Sequence, residues 1–234
     1  MSIYKEEHMR AYIAEFIGTC ALILFGAGSI IATQAMVGSS AALLVVALAH
    51  GLTIACMVSA LGAISGGHFN PAVTFGFIVG NKMSKRKAYG YMIAQLLGAV
   101  VAALILQVLV FPETWQTAQL GTPMLASNVS FLRGMFLEAL FTFFLMIVVL
   151  GTAVDSRAPK VGGLFIGLII TVDILLGGQL TGAAMNPART FGPAFMGWIG
   201  GASYSPWAGH LVYWFGPLIG AGTAAWIYKK FLSS

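Results

Sequence analysis

The chain has 234 residues, of which 59% are hydrophobic and only 8% are charged. Soluble domains carry about a quarter charged residues, so this composition excludes an ordinary soluble protein and predicts an all-α membrane protein with several spans. The net charge of +5 does not indicate nucleic-acid binding, because the basic residues stand at the ends of apolar segments. Cys20 and Cys56 lie inside apolar segments and are interpreted as packed side chains. No metal site or cofactor is expected.

Six apolar segments are long enough to cross roughly 30 Å of hydrocarbon. They lie at about 10–33, 42–61, 87–109, 131–152, 161–179 and 207–229. The first segment follows Arg10 without a small-residue cleavage pattern, so we expect a retained span and not a removed signal peptide.

The basic residues predict the orientation of these spans. Ten of the 12 basic residues fall on one side of the membrane if the six spans alternate, whereas the opposite loops contain no Lys or Arg. The ten are Lys5, Arg10, Lys82, Lys85, Arg86, Lys87, Arg157, Lys160, Lys229 and Lys230. Because positive charges concentrate on the cytoplasmic side, both termini are predicted to be cytoplasmic.

A Gly-rich motif between the second and third segments returns between the fifth and sixth. It reads GGHFNPAVTFG at 66–76 and GAAMNPARTFG at 182–192. Asn followed by Pro is a helix-start signal, with Asn at the N-cap and Pro at the first helical position. The residues that match this signal are Asn70, Pro71 and Ala72, and Asn186, Pro187 and Ala188. Each predicted helix lasts only about ten residues, which is too short to cross a bilayer and indicates a re-entrant segment.

The chain also contains an internal repeat, with halves at about 10–109 and 131–230 and an external connecting loop at about 110–130. Glu15 opens the first half and Glu138 opens the second, each ahead of its own Asn-Pro-Ala motif. Each half has three spans, an odd number, so the second half enters the membrane upside down. The predicted fold is therefore six transmembrane helices plus two re-entrant half-helices, arranged as inverted three-helix repeats.

Both half-helices are expected to begin at the membrane centre with their N-termini facing each other. Each N-terminus carries about half a positive charge, so this centre disfavours cations, and Asn70 and Asn186 can donate N–H groups to a passing water oxygen. The unwound loops that precede them are tolerated at this depth only where they are buried or line a polar cavity. The motifs could alternatively be a packing device, but two equivalent copies in inverted halves favour a pore.

Arg189 places a positive charge within the membrane, and charged side chains there normally face a bundle interior or an aqueous cavity. At about 1.5 Å per residue, Arg189, His50 and Ile174 can share one depth, and Ala183 can complete a ring of four. We expect two polar donors, His50 and Arg189, and two apolar walls, so that small neutral hydrogen-bonding solutes pass and cations are repelled. His50 alone could instead be a packed core histidine.

With these motifs the chain resembles the aquaporin (major intrinsic protein) family over almost its whole length, so 1–234 is expected to form one domain. The resemblance rests on SGGHFNPAVT at 65–74 and NPAR at 186–189. It implies a right-handed helical bundle that assembles as a homotetramer, with Asn70 and Asn186 as central donors. It also implies that Glu15 and Glu138 are buried carboxylates that hold the two unwound loops.

The resemblance further assigns a constriction and a ladder of acceptors. The constriction residues are His50, Ile174, Ala183 and Arg189. The carbonyl groups of the ladder belong to Gly66, Gly67, His68, Gly182 and Ala183.

The subtype is indicated by residues near the second motif. Glycerol-conducting relatives carry Asp directly after the motif's Arg, a basic residue at the position of Ala194 and no aromatic pair; this chain has Thr190 and Tyr213-Trp214. These features resemble the water-selective branch, whereas the His/Ile/Ala/Arg constriction is similar to plant tonoplast-type members that also pass ammonia, urea or hydrogen peroxide. We therefore expect water and small neutral solutes as the conducted molecules, in a cell (plasma or inner) membrane.

Three alternatives remain open beside a water channel: a glycerol or small-polyol facilitator of the same family, an alternating-access secondary transporter and an ion channel. An enzyme is not expected, because no nucleophile–base, paired-Asp or His-Glu-x-x-His arrangement is present. Asp173 is expected to pack against a neighbouring span or subunit, with a lateral ion site as the alternative. His210 is expected at the outer end of the sixth span, in a capping or interfacial position, with a pH gate as the alternative.

Overall fold

The computed structural model describes residues 3–36, 38–159 and 161–233, and this part of the chain contains helices and turns but no β-strand. Lys160 and the side chain of Lys5, which were used to predict the orientation, lie outside the described part.

The helices follow one another in the following order. They are α1 (Ile3–Ala21), which continues through a π-helical turn (Leu22–Ala27) into α2 (Gly28–Ala32), α3 (Ser40–Ser65), α4 (Pro71–Val79), α5 (Lys85–Leu109), α6 (Pro112–Thr117), α7 (Phe131–Val149) with a π-helical extension (Leu150–Val154), α8 (Gly162–Gly177), α9 (Pro187–Ile199) and α10 (Val212–Ile227) with a π-helical extension (Tyr228–Leu232).

Four helical segments of the described chain are long and apolar enough to cross a membrane: Glu6–Ala32, Ser40–Ser65, Lys85–Leu109 and Phe131–Val154. Helix α8 is equally apolar in character but has only 16 residues. The four long segments, α8 and α10 together form the six spans that the apolar segments predicted. The half-helices α4 and α9 are shorter, with 9 and 13 residues.

The predicted start of the sixth span was wrong, because α10 begins at Val212 and not near residue 207. The preceding residues form turns, with Gly209 at a left-handed φ of +67°. The ring of Trp207 packs against those of Phe191 and Trp198 of α9, with centroids 6.0 and 6.5 Å away. This contact explains why an apolar residue stands before the span. The connecting loop also contains the short helix α6, which the sequence analysis did not anticipate.

Small residues allow the spans to approach closely. A Cβ atom at Gly167 of α8 would collide with the backbone of Gly51 in α3, and one at Gly220 of α10 would collide with Ala139 in α7. The equivalent contact in the first half joins Gly98 of α5 to the backbone of Phe16 in α1. These glycines therefore pack the bundle inside one chain, and the same contact occurs in each half.

Candidate functional site

The first unwound loop, 66–70, is held by the carboxylate of Glu15, which is completely buried. Glu15 Oε1 accepts hydrogen bonds from Ser65 Oγ at 2.7 Å and from the backbone N–H of His68 at 2.9 Å. Glu15 Oε2 accepts from the backbone N–H of Phe69 and from Gln95 Nε2, both at 2.7 Å. Four donors thus surround one carboxylate, which satisfies a charge that would otherwise be very costly at this depth.

The second unwound loop, 182–186, is held in the same way by Glu138, which is also completely buried. Glu138 Oε1 accepts from Thr181 Oγ1 at 2.7 Å and from the backbone N–H of Ala184 at 2.9 Å. Glu138 Oε2 accepts from the backbone N–H of Met185 at 2.7 Å. The loops of the two halves are therefore fixed by equivalent carboxylates through equivalent donors.

These carboxylates hold backbone that would not adopt its conformation alone. Phe69, Ala183 and Met185 have φ values of 48°, 43° and 53°, in the left-handed region that non-glycine residues rarely occupy. Such residues persist where surrounding contacts over-determine the conformation, and they cluster at functional sites.

The two half-helices meet through their asparagines. Asn70 Oδ1 accepts from the backbone N–H of Ala72 at 2.8 Å, and Asn186 Oδ1 accepts from that of Ala188 at 3.0 Å, so each side chain caps its own helix. The amide nitrogens reach across, because Asn70 Nδ2 donates to the carbonyl of Met185 at 2.7 Å and Asn186 Nδ2 donates to that of Phe69 at 2.9 Å.

The carbonyl groups of Phe69 and Met185 are acceptors that the sequence did not reveal. The signal that could have found them is their shared position, directly before Asn in both motifs. Each asparagine NH₂ group has two hydrogens, and one is used in this cross-contact. The second remains for another acceptor in the cavity that both asparagines line.

Arg189 and His50 make a direct contact, with Arg189 Nε donating to His50 Nε2 at 3.1 Å. His50 Nδ1 lies 2.8 Å from the carbonyl of Val46, an acceptor, so Nδ1 carries the proton and Nε2 is the acceptor. His50 therefore uses both nitrogens within the protein, and the expectation that it offers a donor to the lumen was wrong. Arg189 Nη1 donates to the carbonyl of Gly121 at 2.8 Å, a partner in the connecting loop that sequence reasoning did not identify.

A narrow cavity of about 40 Å³ runs between these groups, which is room for about three water molecules. All four constriction residues, both asparagines, and Gly67 and His68 line it. Its remaining walls are mainly apolar and include Leu22, Ile54, Val73, Leu145, Val149, Ile166 and Ile170.

The other two residues of the expected carbonyl ladder lie at wider openings. Gly66 lines a cavity of about 790 Å³ beside residues 155–159, and Gly182 lines one of about 180 Å³ that shares Ile174 with the narrow cavity.

Asp173 and His210 lie away from this cavity. Asp173 is only 6% exposed, and its Oδ2 atom has no hydrogen-bond partner among the described residues. His210 lies in the turns before α10, with its ring 4.8 Å from that of Trp207. Burial lowers the pKa of His210 to about 4, so this ring is neutral at physiological pH.

Six spans, two half-helices that meet N-terminus to N-terminus, and a water-sized cavity between them define a membrane channel. The sequence model of the family described as major intrinsic protein matches residues 2–228. The chain belongs to this family of channels, and it is an integral, multi-pass membrane protein and not an enzyme.

Known relatives agree with this assignment. "Probable aquaporin TIP3-2" of Arabidopsis thaliana is 41% identical, with 95% of this chain and 84% of that protein aligned. "Aquaporin TIP4-1" of the same plant is 42% identical over 97% and 88% of the two chains. The X-ray structure of the aquaglyceroporin from Plasmodium falciparum superimposes with a TM-score of 0.85 at 27% identity, covering 96% of this chain and 97% of that one.

Proposed function

We propose that the protein is a passive channel that conducts water and small neutral solutes, namely ammonia, urea and hydrogen peroxide, and excludes protons and ions. One observation carries this proposal: Asn70 and Asn186, each fixed by a hydrogen bond to the opposite loop, line one narrow cavity of about 40 Å³. The curated relatives described above are named aquaporins, which favours this function over a glycerol or polyol facilitator.

The asparagine pair accounts for proton exclusion. A water molecule at the centre accepts the remaining N–H groups of Asn70 and Asn186, so its oxygen faces the two side chains. Its own hydrogens then point outwards along the file, towards both ends. A chain of water molecules that donates in opposite directions from its middle cannot pass a proton through by successive hydrogen-bond exchange.

Cations are excluded by positive potential and by poor solvation. The N-termini of α4 and α9 both point at the centre, each with about half a positive charge, and Arg189 adds a full charge at the constriction. The mainly apolar walls offer few acceptors to replace the hydration shell of an ion. A neutral solute does not carry the large hydration energy of an ion, so the same lining admits it.

The constriction explains the proposed solute range. His50 is occupied by Val46 and Arg189, and Ile174 and Ala183 present apolar surfaces of modest size. The small methyl group of Ala183 and the aliphatic side chain of Ile174 leave space beside Arg189 for a planar amide such as urea.

The described residues argue against a coupled transporter. Such a transporter needs a carboxylate that can exchange an ion near its substrate. Glu15 and Glu138 are occupied by the loops, and neither they nor Asp173 is among the residues that line the narrow cavity.

The proposal is tested by stopped-flow light scattering of proteoliposomes. We expect fast shrinkage in a sucrose gradient with an activation energy close to that of water diffusion, recovery in urea but much less in glycerol, and no ionic current. Asn70→Asp, which places a negative charge at the centre, is expected to admit cations. A flux that depends on an ion gradient, or a high activation energy in the wild type, would refute the channel.

We also infer the arrangement of the protein in its membrane. The positive charges favour cytoplasmic termini, and the family resemblance favours a homotetramer. We further propose that the whole chain 1–234 forms one domain and that the protein lies in the cell membrane. Protease protection of tags at each end, membrane fractionation, and the mass of the detergent-solubilised protein test the orientation, the membrane and the homotetramer, respectively. Protease added outside intact cells should leave both tags intact, so cleaved tags, recovery in another membrane fraction or a monomeric mass would contradict these inferences.

A further inference from the structure

The first span is interrupted beside the constriction by the π-helical turn Leu22–Ala27. Such single π-helical turns are rare and are frequently found at functional sites. Leu22 at its start lines the narrow cavity, and two residues at its end, Gly26 and Ala27, contact the partners of Arg189. None of these positions belongs to the half-helix motifs.

Gly26 lies directly against the ring of His50. A Cβ atom at position 26 would lie 2.7 Å from both Cδ2 and Nε2 of His50. The ring is restrained on its other edge, where Nδ1 donates to the carbonyl of Val46. The ring therefore occupies its position, with Nε2 facing Arg189, because residue 26 has no side chain.

The π-helical turn cannot move back to relieve such a clash. Ala27 is completely buried, and a Cβ atom at Gly121 would lie 2.8 Å from Ala27 Cβ and 2.9 Å from its Cα and carbonyl oxygen. The backbones of Ala27 and Gly121 are thus already in close contact. Because the carbonyl of Gly121 also accepts from Arg189, a shift of the turn would disturb the second partner of the arginine.

We propose that Gly26 is a specificity-determining position of the channel: its missing side chain sets where the His50 ring lies, and so sets the bore beside Arg189 and the size of neutral solute that passes. This inference rests on the proposed function. In Gly26→Ala the ring must move by about 0.7 Å to restore ordinary contact, from 2.7 to 3.4 Å. Because the turn cannot retreat and His50 lines the narrow cavity, the ring is displaced towards the lumen.

The test compares water and urea permeability of proteoliposomes that contain wild type, Gly26→Ala or Gly28→Ala. Gly28 is the matched control, because a Cβ there would meet only Leu106 Cδ2, at 3.3 Å, and not His50. We expect Gly26→Ala to lower urea permeability at least fivefold and water permeability by a smaller factor. Gly28→Ala is expected to resemble the wild type.

Each variant is also made in a His50→Ala background, which removes the ring that Gly26→Ala displaces. If Gly26 acts through His50, the substitution changes neither permeability in this background. Equal losses of water and urea flux, or a loss that persists without His50, would show a general structural effect and overturn the inference. A wild type that conducts no water would instead refute the proposed function, so the two failures are distinguishable.

Discussion

Glu138→Gln is the substitution for which the structure gives the sharpest expectation. The change keeps the size of the side chain but converts one oxygen into an NH₂ group. Glu138 accepts from the backbone N–H groups of Ala184 and Met185 on opposite oxygens, so an amide cannot serve both. One N–H then faces a donor and is left buried without a partner.

The expected loss of stability follows from this count. A buried donor without a partner costs about 1–3 kcal/mol, and each of the two remaining bonds weakens by about 1 kcal/mol when the acceptor loses its charge. Part of this is offset, because a buried carboxylate carries a desolvation penalty that the amide lacks. We therefore expect a net loss of about 2–4 kcal/mol, which lowers the unfolding temperature by about 5–15 °C for a chain of this size.

The assay is thermal unfolding in detergent, followed by tryptophan fluorescence, together with water permeability of the same preparation. Permeability should fall too, because the loop that presents Asn186 is held by fewer and weaker hydrogen bonds. Glu113→Gln is the control, since Glu113 is exposed in α6 and such substitutions change stability by only about 0.5 kcal/mol. An unfolding temperature and a permeability equal to those of the wild type would refute the role given to Glu138.

Other predictions concern the arginine, the outer histidine and the unpartnered aspartate. Arg189→Val should raise urea permeability about tenfold, a barrier change of about 1.4 kcal/mol, and should admit cations; unchanged selectivity in flux and current measurements would contradict this. Because the pKa of His210 is about 4, below its value of about 6.5 in an unfolded chain, its contribution to stability falls as pH drops from 6.5 towards 4, while the folded ring stays neutral. Water permeability should therefore be the same from pH 5 to 8, and the unfolding temperature should fall less on acidification in His210→Asn than in the wild type; a permeability step near pH 6.5 that His210→Asn abolishes would show a gate. Asp173→Asn should raise the unfolding temperature, because the amide carries no charge and avoids the desolvation penalty of a buried carboxylate without a full set of partners; a lower temperature would show that the carboxylate has a partner.

The features that sequence predicted well are those that depend on local chemistry or on membrane depth. Asn70 and Asn186 precede Pro, which marks a helix start at any depth. Glu15 and Glu138 are carboxylates inside apolar segments, and such groups need a partner. Arg189 and His50 were brought together only by counting residues from the ends of their helices, and the structure joins them at 3.1 Å.

The features that the sequence did not predict depend on backbone conformation that distant residues impose and that no local sequence pattern encodes. Left-handed φ values at Phe69 and Met185 are imposed by distant carboxylates, so no local propensity reveals which carbonyl turns towards the opposite asparagine. The carbonyl of Gly121 reaches Arg189 from a loop 68 residues earlier in the chain. The role of His50 was misjudged because its tautomer depends on the carbonyl of Val46, four residues before it in the same helix.

The two halves share the hydrogen bonds that anchor their unwound loops, but only the second half carries an arginine in its half-helix. Tyr91 donates to the carbonyl of Ser65, and Tyr213 donates to that of Thr181, both at 2.7 Å, so each loop has a second anchor besides its carboxylate. The halves differ where Val73 in α4 corresponds to Arg189 in α9. Under the proposed function this is physically consistent, because reversing the water file at its centre requires a donor from each half, whereas repelling cations requires only one charge beside the lumen. A second arginine in place of Val73 would add a desolvation penalty without a carbonyl and a histidine to receive it.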